Sequence, residues 1–282
     1  MNSVFGNFMK EVFHRAGVMI LLFSLYFKVI TIEVFVYAVV GVYVLRMLIM
    51  NLYAFYVRRP IFRFGKLPNM KAVFKYSSLI IIAGSVANII LEIDKFMIGQ
   101  YIEIEKVAYY GVAIYIATVI GVPARSMHQI TNPLTAKLLN DGEQDQLKVL
   151  YKKSSLNLLI ISGLVFLLII LNINQLYLLI DDKYMGGLIV VLLISIAKLS
   201  DNIIGNNNAI LFNSDYYRVV LALGVLLAVM TVVFNTMLIP EYGINGAAFA
   251  TFMSVIVYNF AKVAFVYYKF RISPFCVNTL KT

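Results

Sequence analysis

Tryptophan is absent from this 282-residue chain, cysteine occurs once, histidine twice, and only 13% of the residues are charged. Each scarcity excludes something. A lone Cys276 rules out a disulfide framework, and two histidines are too few for a His-rich metal site. So little charge leaves a soluble domain of this length without the polar surface it needs to meet water. Without tryptophan, any aromatic belt at a membrane interface has to draw on the 19 tyrosines. No nucleophile elbow, zinc-ligand spacing or phosphate-binding glycine loop occurs, so neither an enzyme nor a cofactor is expected.

What the chain has in abundance is apolar sequence: 61% of residues are hydrophobic and the mean hydropathy is +0.86. The apolar residues fall in runs, and about 20 of them suffice for one helix across a bilayer. Eight spans can be placed, at 12–30, 34–57, 74–99, 107–135, 156–174, 186–208, 217–239 and 244–268. In lipid the backbone must satisfy its own hydrogen bonds, so these are helices, and the chain reads as an all-α polytopic membrane protein. The apolar stretch 17–30 has no small-residue cleavage site after it and is read as a span rather than a leader.

The net charge of +10 is distributed unevenly. One set of loops and helix ends carries Lys10, Arg15, Arg58, Arg59, Arg63, Lys66, Lys71, Lys75, Lys137, Lys148, Lys152, Lys153, Arg218, Lys262, Lys269, Arg271 and Lys281. The opposite loops hold only Lys106 and Lys183, beside Glu33, Glu103, Glu105, Asp181, Asp182 and Glu241. The positive-inside rule then puts both termini in the cytoplasm of a cell-membrane protein, and one-sided charge of this kind speaks against a nucleic-acid partner. The basic, proline-containing segment 58–73 divides the chain into residues 1–57, with two spans, and residues 74–268, with six. It is read as a cytoplasmic linker, or as a basic loop on anionic lipid, and 269–282 as a cytoplasmic tail.

Ionisable residues inside spans are costly and are functional candidates by default. Arg46 lies mid-span between Tyr43 and Asn51, and Arg125 follows Gly121 and Pro123 with His128 one turn on. Neither arginine has an acid one turn away in its own helix, and a guanidinium fork suits phosphate. Lys198 and Asp201 share a helical face, either as a self-satisfied pair or as cavity groups. Glu92, Asp94 and Lys95 cluster near the outer end of the third span, as a structural pair or as cation-coupling acids. Lys28 is read as snorkelling to the interface. Pro123 and Pro133 are expected to interrupt the fourth span, either as a structural kink or as part of a cavity wall.

Two stretches carry a resemblance. Asp94-Lys-Phe-Met-Ile-Gly is followed after an acidic loop by Val107-Ala-Tyr-Tyr-Gly-Val-Ala. It resembles the start of the second lobe of polysaccharide flippases, with Tyr110-Gly111 reversing the usual order. Leu238-Ile-Pro-Glu-Tyr-Gly-Ile-Asn-Gly-Ala-Ala-Phe-Ala-Thr251 is close to that family's "LIP-x-yGi-x-GAA-x-At". In it Pro240 and Gly243 shape a tight outer turn, and Gly246, Ala247 and Ala250 form a small-residue strip for close helix packing. The family is the multidrug/oligosaccharidyl-lipid/polysaccharide exporter superfamily, in its Wzx-like branch.

The resemblance implies two six-helix lobes around a cavity that moves a polyprenyl-diphosphate-linked oligosaccharide across the membrane. Cavity cations would hold the diphosphate, a role for Arg125, Arg46 and Lys198; Asp201, Glu92 or Asp94 would serve if a cation drives transport. Members usually carry twelve or more spans. Eight spans therefore imply the last two helices of one lobe and the whole of the other, with a separate chain or self-association supplying the rest. The alternatives are a cation-coupled multidrug exporter of the same superfamily and a membrane-embedded glycan polymerase or glycosyltransferase. The short outer loops disfavour the last.

Overall fold

The computed structural model describes residues 3–57, 70–180 and 182–275. The chain divides into two compact units, Met1–Met70 and Lys71–Thr282. The first unit is a helical hairpin. Helix α1 (Ser3–Phe8) continues through a π turn (Met9–Phe13) into α2 (His14–Tyr26), and α3 (Ile32–Val57) returns alongside. The pairing is antiparallel: the Phe5 and Tyr53 rings meet at 4.2 Å, those of His14 and Tyr43 at 5.7 Å, and Gly17 abuts Val42. The first span ends earlier than expected, at Tyr26. Lys28 sits in the turn with φ 58° and is exposed. Neither α2 nor α3 buries a residue within the unit, so both present apolar faces all round.

The second unit begins with α4 (Met70–Tyr101), α5 (Ile104–Thr118) and a 3₁₀ turn (Val119–Gly121) leading into α6 (Val122–Asn140). Then come α7 (Gln144–Leu171), α8 (Ile173–Ile180), a 3₁₀ segment (Asp182–Gly187), α9 (Leu188–Ile203), α10 (Asn207–Phe212) and α11 (Tyr217–Phe270). Helical hydrogen bonding runs through α11, but Gly243 (φ 58°, ψ −135°) breaks its direction. A straight helix would hold Asn235 and Thr251 about 24 Å apart at 1.5 Å per residue, yet both bond one carboxylate. So α11 is two arms folded back on each other. The turn falls where Pro240 and Gly243 were expected to shape one. Gly246 comes so close to the first arm that a Cβ there would stand 2.2 Å from the Leu238 carbonyl oxygen.

Among the described residues five helices are long and apolar enough to cross a membrane: Ile32–Val57, Ile104–Asn140, Gln144–Leu171, Lys183–Ile203 and Tyr217–Phe270. The last supplies two crossings by folding back, and His14–Tyr26 is a shorter apolar helix. The chain is an all-α polytopic membrane protein. Two apolar clusters close the ends of the second unit. One gathers Ile98, Tyr110, Ala113, Ala117, Val190, Ile194, Ile239 and Ala247 near the Pro240–Gly243 turn. The other gathers Leu147, Tyr151, Ile210, Leu211, Val220 and Val266 at the opposite end.

Two expectations need correction. The sixth span, 186–208, is not one helix: it stops at Ile203 and restarts at Asn207, with Gly205 at φ 57°. Pro133 does not interrupt its span either, because α6 runs through it, whereas the break at Pro123 is present as a 3₁₀ turn. The basic stretch 58–69, Asp181 and the tail 276–282 lie outside the described residues.

Candidate functional site

The three acidic and basic residues grouped near the C-terminal end of α4 separate in space. Lys95 Nζ pairs with the Glu92 carboxylate at 3.0 Å on the exposed side. Asp94 turns inward and is 3% exposed. Its carboxylate accepts hydrogen bonds from Tyr110 Oη (2.8 Å), Asn235 Nδ2 (2.7 Å) and Thr251 Oγ1 (2.5 Å). Its partners come from α5 and from both arms of α11, so this one carboxylate ties three segments to α4. No basic side chain forms an ion pair with it among the described residues, though Lys95 lies within electrostatic reach, and the buried Asn235 Oδ1 has no hydrogen-bond partner there. An acid buried without a paired countercharge beside an idle amide oxygen is a place for a small cation or a proton.

The other intramembrane aspartate is arranged differently. Asp201 Oδ1 lies 3.4 Å from Lys262 Nζ, on the second arm of α11, and not against Lys198. Lys262, assigned above to a loop or helix end, is fully buried. Its ammonium also donates to Asn208 Oδ1 at 3.2 Å and lies 4.2 Å from the Tyr258 ring centroid. The self-satisfied Lys198–Asp201 pair is therefore replaced by a pair between helices. His128 on α6 lies within electrostatic reach of Asp201 and Lys262. Arg125, one turn earlier on α6, is exposed and has no hydrogen-bond or ion-pair partner among the described residues. Lys198 is half-buried on α9, also without such a partner there. Arg46 lies on α3 in the first unit, half-buried and again without one.

Between these charges runs a polar seam built on two broken helices. In the 3₁₀ register before α6, the Ile120 carbonyl would be served by the amide of residue 123, which is proline and has none. Asn202 Nδ2 donates to that carbonyl instead, at 2.7 Å, and to Ser162 Oγ at 2.9 Å. At the break after α9, Asn206 Nδ2 donates to Thr135 Oγ1 (2.6 Å), Ser154 Oγ donates to Asn206 Oδ1 (3.1 Å) and Asn207 Nδ2 to Tyr151 Oη (2.6 Å). Ser155 Oγ donates to the Ile203 carbonyl freed by the break. Gly205 packs so tightly on α7 that a Cβ would meet Ser154 Oγ and Ser155 N at 2.8 Å.

Sequence reasoning passed over Tyr110, Asn235, Thr251 and Lys262, and it passed over the seam. The run Asn206-Asn-Asn208 beside Gly205 was a visible signal for the break. Nothing local marks Asn235 or Thr251 as partners of Asp94, because the two lie 141 and 157 residues from it in sequence.

A multi-span bundle whose helices break at buried polar points, with exposed cations and an uncompensated acid, has the make-up of a membrane transporter. The MatE family model matches residues 80–185, from α4 to the segment before α9. Over that stretch, a little over a third of its length, the chain is similar to the MatE family, which supports a membrane transporter. No curated protein and no solved structure matches the chain.

Proposed function

We propose that this chain is a flippase component that moves a polyprenyl-diphosphate-linked oligosaccharide across the cytoplasmic membrane, both of its termini lying in the cytoplasm. The observation that carries the reading is Arg125: an exposed guanidinium just past the Pro123 break, with no acid engaging it among the described residues. A phosphate oxygen pair suits its fork. Lys198 is a further cation for the same diphosphate, and surrounding lipid and a second chain contributing helices complete the transporter. The work is translocation, with no bond made or broken.

Asp94 supplies the coupling. Its buried carboxylate, Asn235 Oδ1 and Thr251 Oγ1 are oxygen donors suited to a hard monovalent cation, and a proton satisfies the same charge. Glu92, neutralised by Lys95, and Asp201, neutralised by Lys262, are poorer choices. The same acid would serve a cation-coupled multidrug exporter. The partnerless charges named here are cationic, however, which favours an anionic cargo over a cationic drug.

The test is Arg125→Ala in cells that depend on the chain for surface glycan. Lipid-linked repeat units should accumulate on the cytoplasmic face while the variant reaches the membrane at the normal level. Normal glycan export in that strain removes Arg125 from the mechanism. Unchanged glycan together with altered sensitivity to toxic cations on deletion favours the drug exporter.

A further inference from the structure

The fold-back of α11 brings its two ends together, and the contact between them is aromatic. The Tyr216 ring, at the N-cap, meets Phe265 at 5.5 Å and Phe270 at 5.9 Å, both edge to face. Lys269 Nζ lies 5.4 Å from the centroid of that same Tyr216 ring and 5.2 Å from that of Tyr268. One residue on from Tyr216, the Tyr217 hydroxyl accepts a hydrogen bond from Arg218 Nε at 3.3 Å, and the guanidinium lies 5.8 Å from the Tyr217 ring centroid. Two cations from opposite ends of the helix are thus mounted on consecutive tyrosines. Arg271 follows at the left-handed C-cap. All three basic side chains are exposed, and none has an ion-pair partner among the described residues.

An exposed stripe leads to this collar. Phe249, Met253, Val257, Phe260, Ala264 and Tyr268 recur every three or four residues along the second arm, which puts them on one face. At 1.5 Å per residue the stripe runs for about 28 Å. It is apolar until its last member, and Lys269 comes next. Apolar length, then tyrosine, then basic groups is the order in which acyl chains, interface and phosphate follow one another across half a bilayer. The charge fits as well. Arg218, Lys269 and Arg271 stand against Asp215 alone at these two helix ends. The α6–α7 link joins the same apolar cluster through Leu138, Leu139 and Leu147, and it carries Asp141, Glu143 and Asp145 against Lys137, Lys148, Lys152 and Lys153. This end of the unit is therefore cationic however those groups pair.

We propose that the collar binds one anionic membrane phospholipid, its headgroup at Arg218 and Lys269 and an acyl chain along the stripe toward Phe260. The guanidinium fork takes phosphate oxygens in pairs, and the ammonium adds a point charge beside it. Cations already held on rings have less freedom to lose on binding than free surface lysines, which sets this site apart from a diffusely basic face. The site is independent of the transported cargo. A polyprenyl diphosphate also carries phosphate, and the test separates the two.

The experiment is thermal unfolding of the full chain in lipid-free dodecyl maltoside micelles, titrated with phosphatidylglycerol and, separately, with phosphatidylcholine. Phosphatidylglycerol should raise the melting temperature saturably, and phosphatidylcholine should not. The midpoint of the titration should move to about tenfold more lipid in R218Q/K269Q. K148Q/K153Q removes the same charge from α7 and should keep the wild-type midpoint. If the double variant R218Q/K269Q does not fold, R218Q alone carries the comparison. Three results overturn the proposal: no saturable rise in the wild type, an unchanged midpoint in R218Q/K269Q, or an equal shift in K148Q/K153Q, which would make the attraction diffuse. A rise with geranyl diphosphate that R218Q/K269Q loses, in a chain that ignores phosphatidylglycerol, assigns the collar to the cargo and overturns it too.

Discussion

Asp94 and Asp201 are both aspartates within membrane spans, and the bundle treats them in opposite ways. Asp201 is half-exposed and shares its charge with Lys262, which is fully buried. Asp94 is itself buried and has three neutral donors in place of a cation. In the first pair the buried partner is the base, and the acid's exposed side can still be solvated. In the second the acid carries the whole desolvation cost and repays part of it through charge-assisted hydrogen bonds. A neutralised pair holds helices together whatever the solution contains. An unneutralised carboxylate responds to whatever cation reaches it.

The sharpest way to break the comparison is to pull the Asp94 walls apart. Gly246→Ala places a Cβ against the Leu238 carbonyl in backbone that cannot give, and both arms of α11 supply Asp94 donors. It should cost more than about 3 kcal/mol and leave little monodisperse protein on size exclusion. Next comes the Asp201 pair, where the two single changes should differ. Asp201→Asn strands the buried Lys262 charge and should cost about 2–4 kcal/mol in thermal unfolding. Lys262→Met leaves only a half-exposed acid and should cost less than about 1 kcal/mol. Equal losses would mean that the pair is not governed by the burial of the lysine.

Gly205→Ala should follow at about 2 kcal/mol, since it combines a left-handed backbone with contact on α7, and it loosens the end of α9 that carries Asp201. Asp94→Asn tests the other half of the comparison. It should leave the melting temperature in choline chloride within about 1 kcal/mol equivalent, because an uncompensated charge is lost along with some hydrogen bonding. If the coupling cation is sodium, sodium chloride should raise the melting temperature of the wild type, with up to about 2.7 kcal/mol available at a hundredfold excess over Kd, and Asp94→Asn should lose that rise. A sodium response that survives in Asp94→Asn would place the cation elsewhere. Arg125→Ala should have the smallest effect on stability, under about 0.5 kcal/mol, because no partner among the described residues is left behind. Its effect on export should nevertheless be complete.

Much of the architecture was legible because lipid simplifies the code. A run such as Ile32–Val57 has few alternatives to a spanning helix once its backbone has no water to bond. The turn at Pro240 and Gly243 was equally plain, since those residues cannot sit quietly inside a straight helix. Pro133 shows the limit of that logic: α6 continues straight through it. The break at Gly205 was signalled by the Asn206-Asn-Asn208 run beside it but was absorbed into the span placed at 186–208. Reading charge by position along a span also misplaced Lys262, which lies near a helix end in sequence and wholly inside the bundle in space.

Taken alone, the sequence determined the class of molecule, most of its apolar helical runs and the residues worth suspecting. All of these follow from the fit of single segments to a bilayer. Only the tertiary structure decided which aspartate is neutralised, which asparagines serve the carbonyls freed by broken helices, and that Lys106 and Lys183 share one cavity. Those outcomes depend on contacts between residues 40 to 157 positions apart. Local pattern carries no record of which helix will face which.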